Sequence, residues 1–334
     1  MHFKKFHAVL LSFLFVISAF TGCSHPVKKE KELKKVTLNE VTHSIFYAPQ
    51  YVALEKGYFK EEGIDLTIET GFGADKSMTA VLSGDADIGF MGPEASIYQY
   101  NQGNKDYAVN FAQLTQRAGN FLVSRKPIKN FNWNQLKGKT LIGGRKGGMP
   151  QMILEFILKK ENMNPKKDVK IIQNIDFANT AGAFTGGTGD FTVEFEPNAT
   201  LLEKQGKGHV VASLGVDSGY IPYTAYCAKK SYIKANPSII QGFTNAIAKG
   251  QKYVANHSPK ETADIIADQF PDITKNDLIK IIKRYKDQDT YKENPSFSKD
   301  GFMLLQDILE GSGELNETVP FSKLVDTSFT KNLK

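Results

Sequence analysis

Residues 36–68 read VTLNEVTHSIFYAPQYVALEKGYFKEEGIDLTI. Stretch 36–41 alternates apolar and polar side chains, the period of a strand with one buried face. Stretch 49–60 places Tyr51, Val52, Leu54 and Tyr58 on one helical face, and 64–68 alternates again. Strand, helix and strand within about 30 residues predict a βαβ unit with parallel pairing.

The same alternation continues outward. A helix is predicted over 75–83, with Met78, Val81 and Leu82 on one side, then a strand at 86–91 and a helix over 93–102. Further on come a strand at 140–143, a helix from about 150 to 160, strands at 169–172 and 191–195, and a helix over 197–205. The last third reads as helices at 238–256, 260–269, 275–285 and 298–309. Ile240, Phe243, Ile247 and Val254 give the first of these an apolar stripe for core packing. The chain of 334 residues is long enough for two such α/β units.

Charge separates the amino terminus from the rest. The formal charge is +6, and residues 1–35 hold seven lysines against two glutamates. The remaining chain has 35 basic and 34 acidic side chains, a net of +1. A near-neutral body carries no nucleic-acid footprint. Lys4 and Lys5 precede an apolar run at 8–17, the pattern of an export signal and too short to span a membrane. Small residues then lead into Cys23, as in a bacterial lipobox, although Phe20 stands where leucine is commonest. The expectation is a signal peptide at 1–22, a lipid on Cys23 and a polar tether over 23–35. Localisation follows: a chain lipid-anchored on the extracytoplasmic face of the cell membrane.

Reactive motifs are missing. The two cysteines, Cys23 and Cys227, exclude a disulfide scaffold and a zinc ribbon. His43, His209 and His257 lack a paired metal spacing, and no nucleophile elbow or phosphate loop occurs. Gly71-Phe72-Gly73 begins a dinucleotide fingerprint that lacks its third glycine. Neither a metal nor a cofactor is expected, and binding is a better class of function than catalysis. Several strand-to-helix loops carry small or capping residues: His43-Ser44, Gly73-Ala74-Asp75, Gly92-Pro93-Glu94, Gly147-Gly148-Met149 and Glu196-Pro197. Helix starts offer free N–H groups and partial positive charge. In open α/β sheets they gather beyond the carboxyl ends of the strands, where small ligands bind. The same residues also serve as plain turn formers and caps.

Three segments resemble one family in combination: 43–64, with its A-x-x-K-G-Y-F-x-x-E-G run; 82–89, L-x-G-x-A-D-I-G; and Gly189-Asp190 through Phe195-Glu196-Pro197. The family is that of substrate-binding proteins of ABC importers for nitrate, taurine and sulfonates, including binders of thiamine-precursor pyrimidines. The resemblance implies a type II periplasmic-binding-protein fold, two α/β lobes joined by two hinge crossovers. One lobe would comprise 36–123 and 224–334, the other 124–223, with crossovers near Leu122-Val123-Ser124 and Pro222-Tyr223-Thr224. It implies a monomer that closes on a small-molecule ligand and delivers it to a permease with a separate ATPase.

Carried over onto this sequence, the ligand positions are Ser44 and Tyr47; Gly73, Ala74 and Asp75; Pro93 and Glu94; Arg145, Gly148 and Met149; Phe195 and Glu196; and Tyr223 at the hinge. Tyr47 and Phe195 would equally suit core packing, Glu196 a helix cap, and Arg145 an exposed loop. Arg145 with helix starts suits a sulfonate, taurine or nitrate. Glu94, Glu196, Asp75 and the aromatics suit an aminopyrimidine or a related flat heterocycle. A pyrimidine-synthase-like enzyme shares the fold, but its branch resembles a cysteine-rich protein, unlike this chain. A surface adhesin or sensor is a further possibility on the same scaffold.

Overall fold

The computed structural model describes residues 32–331 and 333, so the expected signal, the expected lipidation at Cys23 and most of the expected tether lie outside the described residues. Ten strands appear in chain order: β1 Lys34–Glu40, β2 Ile64–Thr70, β3 Ile88–Met91, β4 Ala108–Thr115, β5 Asn120–Ser124, β6 Thr140–Ile142, β7 Lys170–Ile172, β8 Phe191–Phe195, β9 His209–Ser213 and β10 Thr224–Lys229. They form two five-stranded sheets, ordered β2-β1-β3-β10-β4 and β7-β6-β8-β5-β9.

The sheets are built alike. In each, three parallel strands are followed by one antiparallel strand, β10 in the first sheet and β5 in the second. That antiparallel strand is the one reached from the other sheet. The two crossovers run side by side. Ile221 and Tyr223 donate their N–H groups to Gln116 O (3.0 Å) and Thr115 O (3.3 Å), and the Thr115 and Thr224 hydroxyls meet at 2.7 Å. The result is a two-lobe, type II periplasmic-binding-protein architecture with a double hinge.

The first crossover occupies 116–119, just ahead of the expected Leu122–Ser124. Those residues are inside β5, zipped between β8 and β9. The predicted helix over 49–60 is divided into Ala48–Glu55 and Tyr58–Glu61. Gly57 adopts φ +72° between them, a left-handed conformation that ends the first helix. Helices cover both sheets, as parallel strands require. Helix Lys275–Asp287, in the last third of the chain, packs on helix Pro259–Ile266 and on the turn Ile45–Tyr47 of the first lobe. Among the described residues, no helix is long and apolar enough to cross a membrane.

Candidate ligand cleft

The first loop leaves β1 at Glu40, whose buried carboxylate is fully engaged. It accepts from Gln50 Nε2 (2.7 Å) and Tyr51 Oη (2.8 Å), and His43 Nδ1 lies 2.9 Å away. The other ring nitrogen of His43 meets Gln269 O at 2.9 Å, and the ring stacks on Phe270 at 4.8 Å. The hydrogen bond to Glu40 holds the imidazole pKa above its ordinary value. Ser44 caps the next turn, its Oγ accepting from Phe46 N–H at 3.2 Å. This network is a scaffold. It fixes the turn that drives Phe46 and Tyr47 into the interlobe floor.

Aromatic rings from both lobes and the hinge meet on that floor. Phe46 lies 5.6 Å from Phe195, 5.6 Å from Tyr223 and 5.3 Å from Tyr285, centroid to centroid. Phe177, on the second-lobe rim and 43% exposed, sits edge-on to Phe195 at 5.3 Å. Gly119 makes the close approach possible, since a Cβ there would stand 2.4 Å from the Phe46 ring.

Glu94 opens the helix Glu94–Asn101 after β3 and is buried within this group. Its Oε2 has no hydrogen-bond partner. Gly92 leaves room for the carboxyl, because a Cβ there would lie 2.0 Å from Oε2. An unpaired buried carboxylate is costly, so burial pushes the Glu94 pKa up to about 7. The Tyr47 and Tyr223 hydroxyls titrate well above the usual phenol range, through burial and through the nearby Glu94 charge. Tyr223 Oη is also buried without a partner.

Glu196 has the opposite surroundings. Its oxygens accept from Thr200 N (2.9 Å), Thr200 Oγ1 (2.9 Å) and Arg284 Nη1 (2.5 Å). Arg284 also holds Glu203 at 2.7 Å, and Lys204 pairs with Asp277 at 2.6 Å. These pairs clip helix Lys275–Asp287 of the first lobe to helix Asn198–Lys204 of the second. Tyr285 Oη joins the clip, donating to Gly119 O (3.1 Å) and accepting from Glu196 N–H (3.2 Å).

The structure therefore brings Tyr47, Glu94, Phe195 and Tyr223 together on the floor, with Ser44 behind them. Asp75 and Arg145 meet across the mouth at 3.2 Å, both more than half exposed. Gly73, Ala74 and Pro93 form helix entries on the first lobe, and Gly148 and Met149 form one on the second. Glu196 is committed to Thr200 and Arg284 and leaves no oxygen free. Sequence reading missed Phe46, Phe177 and Asn120. The last is a fully buried amide whose Oδ1 and Nδ2 both lack partners. Two cavities, of about 580 and 380 Å³, lie away from the floor, one beside Tyr107 and Lys331 and the other beside Phe121 and Gln288. Among the described residues, no three His, Cys, Asp or Glu side chains are grouped to hold a metal.

A family model described as NMT1/THI5 like matches residues 45–262. A Bacillus subtilis (strain 168) relative, named as a binding protein, YtlA, is 49% identical over 320 residues, covering 96% of this chain and 95% of its own. Solved structures share the architecture. The periplasmic nitrate-binding protein NrtA from Synechocystis PCC 6803 gives a TM-score of 0.71 at 17% identity, over 90% of this chain and 88% of that one. The alkanesulfonate-binding protein SsuA from Xanthomonas axonopodis pv. citri, bound to MOPS, gives 0.70 at 14% identity, over 89% and 99%. At such identities the likeness concerns the fold.

Proposed function

Because the chain belongs to the NMT1/THI5-like family, we propose that it is the extracytoplasmic solute-binding protein of an ABC importer. It captures a small polar solute between its lobes and passes it to a membrane permease driven by a separate ATPase. On this reading a lipid on Cys23 holds the monomer at the membrane, and the ligand leaves unchanged. The lobes open and close about the crossovers at 116–119 and 219–223.

The observation that carries the reading is the partnerless Glu94 oxygen beside Tyr47 and Tyr223, two rings of the group centred on Phe46. A buried carboxyl lacking a cation accepts N–H and repels an oxyanion. Arg145, the guanidinium that would suit a sulfonate, taurine or nitrate, is spent on Asp75 at the exposed mouth. Ringed walls with one acid favour a flat, amino-substituted nitrogen heterocycle, which stacks on the aromatics and donates to Glu94.

Thermal-shift and calorimetric titrations of the soluble body test this. The probes are 4-aminopyrimidine, cytosine, thiamine, taurine, methanesulfonate and nitrate. An amino-heterocycle is expected to raise the melting midpoint by mass action, and Glu94→Gln is expected to abolish the shift. A shift by methanesulfonate or nitrate alone overturns the heterocycle, and turnover of a bound probe overturns simple capture. Replacing Cys23 with Ala should release the protein from cells into the medium.

A further inference from the structure

Asn120 is the first residue of β5, directly after the hinge at 116–119. Because β5 runs antiparallel to β8, this residue lies at the carboxyl end of β8, the end that faces the cleft. Its cross-strand partner is Phe195. Directly opposed residues of an antiparallel pair project to the same face of the sheet. The Asn120 amide therefore shares the face of a ring that touches Phe46, Phe177 and Tyr223.

The side chain is fully buried, and neither Oδ1 nor Nδ2 has a partner. Other buried amides with an unpaired atom are anchored at their second end. Gln99 Oε1 accepts from Ala108 N–H at 3.1 Å, and Gln251 Nε2 donates to Gln113 O at 3.0 Å. Among the buried amides of the described residues, Asn120 alone has both its donor and its acceptor end without a partner. A fold gains nothing from sealing an amide away in this way, so the two ends await something that enters the cleft.

The geometry points to Asn120 as the specificity-determining residue of the cleft. Its amide takes a neighbouring acceptor and donor on one edge of the ligand ring, while Glu94 takes a separate N–H. The inference rests on the floor being the ligand site. An asparagine amide pairs in two-point fashion with a ring nitrogen beside an exocyclic amino group, the same match that lets it read adenine. The substrate class narrows accordingly, from any flat amine to a heterocycle whose ring nitrogen adjoins its amino group.

Calorimetric titration with 4-aminopyrimidine and with pyrimidine separates the possibilities, because the second has the ring nitrogen but no donor beside it. The wild-type chain is expected to prefer 4-aminopyrimidine by at least about tenfold, within the range for lost buried polar contacts. In Asn120→Leu that preference should shrink at least about threefold and pyrimidine itself should bind more weakly, while Glu94 still takes one N–H of the amino group. Asn120→Asp keeps the shape and supplies no donor. At pH 8 it should weaken binding of both heterocycles by at least about tenfold, because both need a donor at the ring nitrogen, and this covers the case in which the leucine variant fails to fold. Unchanged affinity for both heterocycles in a folded Asn120 variant, with binding lost in Glu94→Gln, overturns the role of Asn120 and leaves the cleft reading standing. Failure of both heterocycles to bind the wild-type chain overturns both.

Discussion

The loops after β3 and β8 occupy equivalent places, third in their respective sheets. Each turns through a proline into a helix and carries a buried acid, Glu94 in one and Glu196 in the other. One carboxyl keeps an oxygen without a partner and has no cation, and the other is bonded to a threonine and an arginine. The same turn chemistry thus serves two ends. In the first lobe it holds an unpaid electrostatic debt that a ligand can discharge, and in the second it fastens the lobes together.

The largest effect should come from the fastened acid. Arg284→Ala leaves the Glu196 carboxylate buried without its cation and should cost about 3–5 kcal/mol in urea unfolding. Adding Glu196→Gln should recover much of that loss, because the stranded charge is gone. A cost below about 1 kcal/mol would erase the contrast between the two acids.

The bare acid should respond in the opposite sense. In the unfolded chain Glu94 releases its proton near 4.5, whereas in the folded chain it keeps it until about 7. Its contribution to stability is therefore most favourable below pH 4.5 and declines as pH rises through that window. Above pH 7 the loss is complete. Glu94→Gln should gain about 3 kcal/mol over wild type at pH 8, at about 1.4 kcal/mol for each pH unit, and the gain should vanish near pH 4.5. A pH-independent difference would show that the carboxyl has found a partner.

Between the two acids lies Gly119. Gly119→Ala drives a methyl into the Phe46 ring and should cost about 1–3 kcal/mol, with small-angle scattering reporting a more open average shape. The smallest effect belongs to the pair at the mouth. Asp75 and Arg145 are both more than half exposed, so Arg145→Ala should change stability by less than about 1 kcal/mol, less still at high salt. A larger loss there would make the mouth, and not the clip from helix Lys275–Asp287, the principal link across the cleft.

Local signals made the parallel strands and their helix entries legible. Alternation in 36–41 and 64–68 and the Gly92-Pro93-Glu94 entry are short-range features, whereas the Gly57 break inside the helix predicted over 49–60 was not foreseen. The crossover strands were not legible. β4 is buried along its whole length and lacks alternation, while β5 and β10 take their places from partners far away in sequence. Asn120 was hidden for the same reason, since an asparagine after a glycine reads as a turn until β8 is laid beside it. Glu196 looked like Glu94 because nothing near either residue announces Arg284, 88 positions further along.

The Tyr285 hydroxyl, bound at once to Gly119 O and Glu196 N–H, has a consequence for measuring motion. The Glu196 amide hydrogen is held by a phenol that belongs to the opposite lobe. It can exchange with deuterated solvent only when the lobes part. Its uptake rate, read at a single peptide, counts openings of the whole molecule, and a ligand that holds the cleft shut should slow that one amide in proportion to the time spent closed.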